Sequence, residues 1–218
     1  SHVRKISWYL NILGNAGNAL ASLTGEPISE RRFFLNLPQR LQPLQQPELT
    51  AMLVHLLTPE PTQWAENWPE MLLNWKEAFQ AACSIGSAPV EIQNCRLAYY
   101  ERAITAIWQE NLAAALWLMM RTWATALTAL EDAPLHLPGW NAATQMINLD
   151  EAAFPARLEE LDKTLDRVEE IIEIFKDYEA NIRINLPYDI DGMVIRANSI
   201  DLQEIHGKIG GNPKAQIA

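Results

Sequence analysis

At 218 residues the chain has room for one large domain, or for a medium domain with a small companion. Its formal net charge of -10 argues against general binding to nucleic acid or to an anionic membrane, because phosphate contacts need clustered Lys and Arg. The two cysteines, Cys83 and Cys95, fall in no Cys-x-x-Cys or Cys/His cluster, so there is no zinc signature; both read as small buried hydrophobes.

The chain opens on Ser1 and His2 without the charged, apolar and cleavage regions of a signal peptide, and these two residues read as a remnant of tag removal. The expected location is the cytoplasm. Ile6, Leu10, Leu13, Gly17, Leu20 and Leu23 recur at helical steps and predict a helix ending near Gly25. Within it, GNAGNA (14–19) lies in mid-helix rather than between a strand and a helix and has no following Lys-Ser/Thr. It reads as close helix packing through small residues, with Asn15 and Asn18 facing solvent or capping, and not as a phosphate loop.

Pro38, Pro43 and Pro47 are expected to break residues 31–50 into turns and extended pieces. A helix then runs from Pro47 and Glu48 through Leu57. Another spans about Pro69 to Ala82, with Met71, Leu72, Trp75 and Phe79 on one face. The longest apolar pattern begins at Ser87, Ala88 and Pro89 and continues to about Glu131. It contains the most hydrophobic window, Leu112 to Leu130, which is long enough for a bilayer but carries Arg121 at its centre and so reads as a core helix. Asp132 to Gly139 reads as a loop.

The last helix starts at Asp150 and Glu151 and carries Phe154, Leu158, Leu161, Leu165, Val168, Ile171, Ile172 and Phe175. Its carboxylates at 159, 160, 162, 166, 169, 170 and 173 read as a solvated face, partly neutralised by Lys163 and Arg167. Without His or a matching second helix they do not form a di-metal carboxylate pattern. His55, His136 and His206 are isolated, and no nucleophile–base pair is visible. After Asn185 the period shortens. Ile190 to Ile195 reads as a strand, Gly207 to Pro213 as a glycine-rich loop, and Lys214 to Ala218 as the start of a second strand. The expected fold class is mainly α, a multi-helix bundle with a small β-containing C-terminal segment. Its parts are a bundle domain over 1–149, a long acidic helix over 150–185 and a β segment over 186–218.

From about Thr164 the sequence VEEIIEIFKDYEANIRINLPYDIDGMVIRANSIDLQEIHG, followed by GNPKAQIA, resembles the adenylation domain of bacterial NAD-dependent DNA ligases. In that family a helix leads into an Arg-x-x-Leu-Pro-Tyr-Glu/Asp-Ile-Asp-Gly-Val-Val-Ile-Lys strand. A Gln-Glu, a Gly and a Pro-Arg-Trp-Ala-Ile-Ala stretch follow. There an enzyme lysine attacks the adenylyl phosphorus of NAD, and cationic side chains stabilise charge on the phosphate.

The resemblance implies NAD or AMP as ligand. It makes Arg183 a nucleotide-site arginine, Asp191 the carboxylate of the Asp-Gly motif, and Arg196 the occupant of a phosphate-contacting lysine position. It also has departures. Arginine at 196 keeps the charge but changes shape and reach. The nucleophile motif Lys-x-Asp-Gly occurs nowhere in the 218 residues. A chain without that lysine cannot form the enzyme-adenylate. The alternative for the three charged residues is structural, with Asp191 fixing the turn before Gly192.

The helical remainder looks like the substrate-side domains that follow small nucleotidyltransferase domains. The expected function is therefore a non-catalytic helical module, binding a protein or a small molecule, joined to an incomplete ligase-like segment. The alternative is a helical partner- or substrate-binding domain whose C-terminal segment has no nucleotide role.

Overall fold

The computed structural model describes residues 1–46, 48–59, 64–85, 88–130, 138–177 and 180, and the backbone of four two-residue pieces between 195 and 217. Residues Ser1–Ile172 form one compact unit and Glu173–Ala218 a second. The architecture is mainly α-helical. The helices are α1 (His2–Ser22), α2 (Phe33–Leu41), α3 (Glu48–Leu57), α4 (Trp68–Cys83), α5 (Asn94–Glu110), α6 (Leu112–Ala129), α7 (Pro138–Met146) and α8 (Phe154–Asp177).

The first unit is built around α6, which packs against α1, α2, α3, α4 and α5. Leu116 to Met120, Trp123, Ala124 and Leu127 are all buried, so the helix is apolar on nearly every side because protein surrounds it. Among the described residues no helix is long and apolar enough to cross a membrane. Arg121 lies on a partly exposed side of α6. Its Nε donates to Glu30 Oε1 at 2.6 Å, its guanidinium lies 5.5 Å from the Trp117 ring centroid, and a further N–H reaches Asn11.

The small residues of α1 do what the spacing suggests. A Cβ on Gly17 would stand 2.4 Å from Phe33 Cζ, and one on Gly14 would meet Trp117 at 3.1 Å. Phe33 is itself held, stacked on Trp117 at 4.8 Å and edge-on to Phe34 at 4.9 Å, so it has little room to yield. Asn18 neither faces solvent nor caps its helix. Its amide brackets Ile28, accepting from the backbone N–H at 2.7 Å and donating to the carbonyl at 3.3 Å.

Other expectations are refined. Pro38 lies inside α2 rather than ending it. The ring costs one backbone bond to the Phe34 carbonyl, but Phe33, Phe34, Leu37 and Leu41 bury one face of the helix and hold it. The long pattern expected over 87–131 holds two helices, the first starting only at Asn94, and they are broken at Asn111, whose extended backbone (φ -153°, ψ 108°) leaves its side chain to accept from Ala114 N–H at 2.9 Å. Cys95 is exposed and Cys83 half-buried, both as free thiols, because they stand at the ends of α4 and α5 where the helices leave the core. His2 packs as part of the fold. Its Nε2 is 2.7 Å from the Leu149 carbonyl, and its ring stands edge-on to Phe154 at 5.3 Å.

In the second unit, β1 (Ile195–Arg196) pairs antiparallel with β4 (Gln216–Ile217), and β2 (Lys208–Ile209) with β3 (Asn212–Pro213). Ladders of two residues bury no sheet face, and strands of about five or six are usual where one does. The fold on view is thus the helical one, and the finer expectation of a ligase-like β segment over 186–218 is not carried by pieces of this size.

Candidate functional site

Of the residues singled out by the sequence, Arg183 and Asp191 lie outside the described residues, as do His136 and His206. Arg196 is placed only by its backbone, on β1 opposite Gln216. Polar groups do converge in the first unit, where side chains of α8 and α1 meet the last turn of α3.

Asp150 begins this region. Its Oδ1 accepts from the backbone N–H groups of Ala152 at 3.0 Å and Ala153 at 3.4 Å, ordering the turn that feeds α8. The stripe Phe154, Leu161, Val168 and Ile171 then seats the helix. Arg157 falls on the same stripe, three residues after Phe154 and four before Leu161, and is 4% exposed.

A buried cation needs partners, and Arg157 finds them at the end of α3. It donates to the His55 carbonyl at 2.7 Å and to the Leu56 carbonyl, and pairs with the Glu160 carboxylate. Those carbonyls belong to the last turn of α3, where no intrahelical donor remains and a positive charge is favoured. Tyr9 of α1 donates its hydroxyl to the same Leu56 carbonyl at 2.8 Å. His55 Nε2 lies 4.0 Å from Glu160 Oε2. The cluster therefore ties three helices together. It presents no activated nucleophile, because burial pushes the Tyr9 phenol up to about 12 although the Arg157 charge opposes the shift.

That shift has a measurable consequence. A phenol whose folded pKa exceeds its unfolded value stabilises the fold fully below about pH 10. The contribution, about 2–3 kcal/mol, is lost as pH rises through about 12. Denaturant titrations of the wild-type chain between about pH 10 and 12 should show stability falling with pH, and Tyr9→Phe should flatten part of that slope. Tyr100, raised in the same direction chiefly by burial, should supply some of the remainder.

Beside the cluster runs an open groove of about 330 Å³, lined by Trp8 and Ile12 of α1 and by Leu158, Glu159, Leu161, Asp162 and Leu165 of α8. Trp8 is 59% exposed. A second hollow of about 420 Å³ has His2, Trp140, Asp150 and Glu151 among its lining residues. Among the described residues no group of three or more His, Cys, Asp or Glu could hold a metal ion. The Cys83 thiol is pushed up by burial, the opposite of what a reactive thiolate requires. Neither Arg157 nor Trp8 stands out by residue type in the sequence. Position does mark them, Arg157 being in phase with an apolar stripe and Trp8 out of phase with its own.

No family model matches the chain, and no solved structure matches it. DNA ligases do. The chain is 40% identical over 70 residues to the DNA ligase of Bacillus licheniformis, and 39% identical over 70 residues to those of Bacillus velezensis and Bacillus subtilis. Each likeness takes in 32% of this chain and 10% of the ligase. The chain thus matches about a tenth of the length of these curated relatives, and what it has in common with DNA ligases is a single stretch.

Proposed function

We propose that this chain is a helical binding module joined to an incomplete adenylation segment of the NAD-dependent DNA-ligase type, and that it forms no enzyme-adenylate of its own. One observation carries this reading: 70 residues are similar to DNA ligases in a chain that nowhere contains Lys-x-Asp-Gly. The matched stretch is assigned to the C-terminal part because LPYDIDGMVIRANS is where the family's strand motif stands. On this reading 186–218 is one β-containing wall of a nucleotide site, with Arg183 just before it as a nucleotide-site arginine, Asp191 as the carboxylate of the Asp-Gly motif and Arg196 at the position of a phosphate-contacting lysine. The helical unit supplies the binding function, for a protein or a small molecule, in the cytoplasm.

Titration with AMP and with NAD, followed by thermal shift, tests the nucleotide part. The expected result is a small stabilisation at millimolar ligand that disappears in Arg183→Ala and Arg196→Ala. No stabilisation in the wild-type chain would remove the nucleotide role and favour the second reading, a helical partner-binding domain alone. The exposed apolar groove between α1 and α8 supports that second reading independently.

A further inference from the structure

We infer that the groove between α1 and α8 is a docking site for a basic amphipathic helix of another protein. This rests on the reading of the helical unit as a binding module and names the chemistry of its partner. The floor is apolar and offered from two elements, Trp8 and Ile12 on one side and Leu158, Leu161 and Leu165 on the other. Trp8 is 59% exposed, although most tryptophans of the chain are buried. An indole left in water beside leucines at helical spacing suits the helix-in-groove mode, in which anchors at i, i+3, i+4 and i+7 fill the floor.

The rim decides the charge of the occupant. Glu159, Asp162, Asp166 and Glu169 follow one another on α8 at steps of three, four and three, so they form a row along one side of the helix. All four are exposed. Among the described residues none of them is in an ion pair, whereas Glu160 and Glu170 are held by Arg157 and Arg167 three residues earlier. The α8 carboxylates are thus of two kinds, one held in ion pairs within the chain and one left as a row, relieved only by the neighbouring Lys163, of which Glu159 and Asp162 line the apolar trough. Lys and Arg strips flanking a leucine-like face would complement that row.

A second copy of this chain, itself at -10, would meet the row with net repulsion. Residues 178–218 carry four basic against five acidic side chains and no basic amphipathic run. Charge therefore points to a different, basic partner.

The test uses the intact chain and two labelled peptides of about five helical turns, one of Leu and Lys and one of Leu and Glu, with the same apolar face. Binding is read by fluorescence anisotropy at about 0.15 M salt. The Leu/Lys peptide should bind and the Leu/Glu peptide should not. Trp8→Ala, and separately the double variant Glu159→Lys with Asp162→Lys, should each weaken binding by about tenfold or more. Glu151→Lys, which makes the same kind of charge change outside the groove, should leave it unchanged. These residues are exposed, so circular dichroism and melting should match the wild-type chain.

Absence of Leu/Lys binding would overturn the proposal. So would equal weakening by Glu151→Lys, which would indicate diffuse charge attraction. Binding unaffected by Trp8→Ala would overturn the groove while leaving the helical unit a binding module. Concentration-dependent self-association abolished by Trp8→Ala, seen by sedimentation, would make a second copy the occupant instead.

Discussion

Trp75→Ala is expected to destabilise the helical unit by about 3–5 kcal/mol, the range for removing a fully buried aromatic side chain. Trp75 is 0% exposed on α4, against the central helix α6. Its ring packs on Phe79 with centroids 5.6 Å apart, and its Nε1 donates to Thr122 Oγ1 at 2.9 Å. Thr122 keeps a bond of its own, donating to the Leu118 carbonyl at 2.8 Å, so truncating the indole orphans no buried hydroxyl. The cost is therefore mostly lost packing and the cavity left behind. Trp75→Phe keeps most of the ring and should cost only about 1–2 kcal/mol. Urea unfolding should show the alanine variant with a lower midpoint and an unchanged slope. A loss below about 1 kcal/mol would mean that the α4–α6 contact is not the centre of the core.

Arg157→Ala is expected to cost about 2–4 kcal/mol, by a different route. The guanidinium is 4% exposed and bridges the last carbonyls of α3 to α8. Removing it leaves the His55 carbonyl without that donor and opens space beneath Glu160. The Leu56 carbonyl keeps its bond from Tyr9, which limits the loss. Arg157→Met, which retains the apolar stem, should recover about 1–2 kcal/mol of it. Arg157→Lys should not recover the whole, because one ammonium cannot reproduce the planar fork. If alanine and methionine cost the same, the stem contributes no packing and the clasp acts through its hydrogen bonds alone.

Most helices were legible because their apolar steps match buried faces, as with Ile6, Leu10, Leu13 and Leu20 on α1 or Trp75 and Phe79 on α4. What the period hides is punctuation inside an apolar run. Trp108, Leu112 and Leu116 keep steps of four across Asn111, so the cap there shows only in its backbone angles. Pro138 and Gly139 read as the end of a loop from Asp132, yet they begin α7. A Cβ at Gly139 would lie 2.3 Å from Asn74 Cγ, which explains the glycine.

Pro38 is the converse case, a breaker overridden by the burial of four side chains around it. Arg157 is hidden by its type, because arginine in a charge-rich helix suggests a solvated face, and its phase with Phe154 and Leu161 is the signal that marks it. The groove required two helices distant in sequence, and no single-chain pattern brings Trp8 to Leu158. The ligase likeness is legible only through its motif residues, since a short strand with one arginine has no period that specifies a nucleotide.

On the proposed function, the ligase-like stretch is one wall of a nucleotide site and the 218 residues hold no lysine that takes up adenylate. Incubating the intact chain with NAD labelled in its adenylyl group, and separately with ATP labelled at the α-phosphate, tests it most directly. No label is expected on the protein after denaturing electrophoresis. An acid-labile adenylate on a lysine, formed with release of nicotinamide mononucleotide or pyrophosphate, would contradict it.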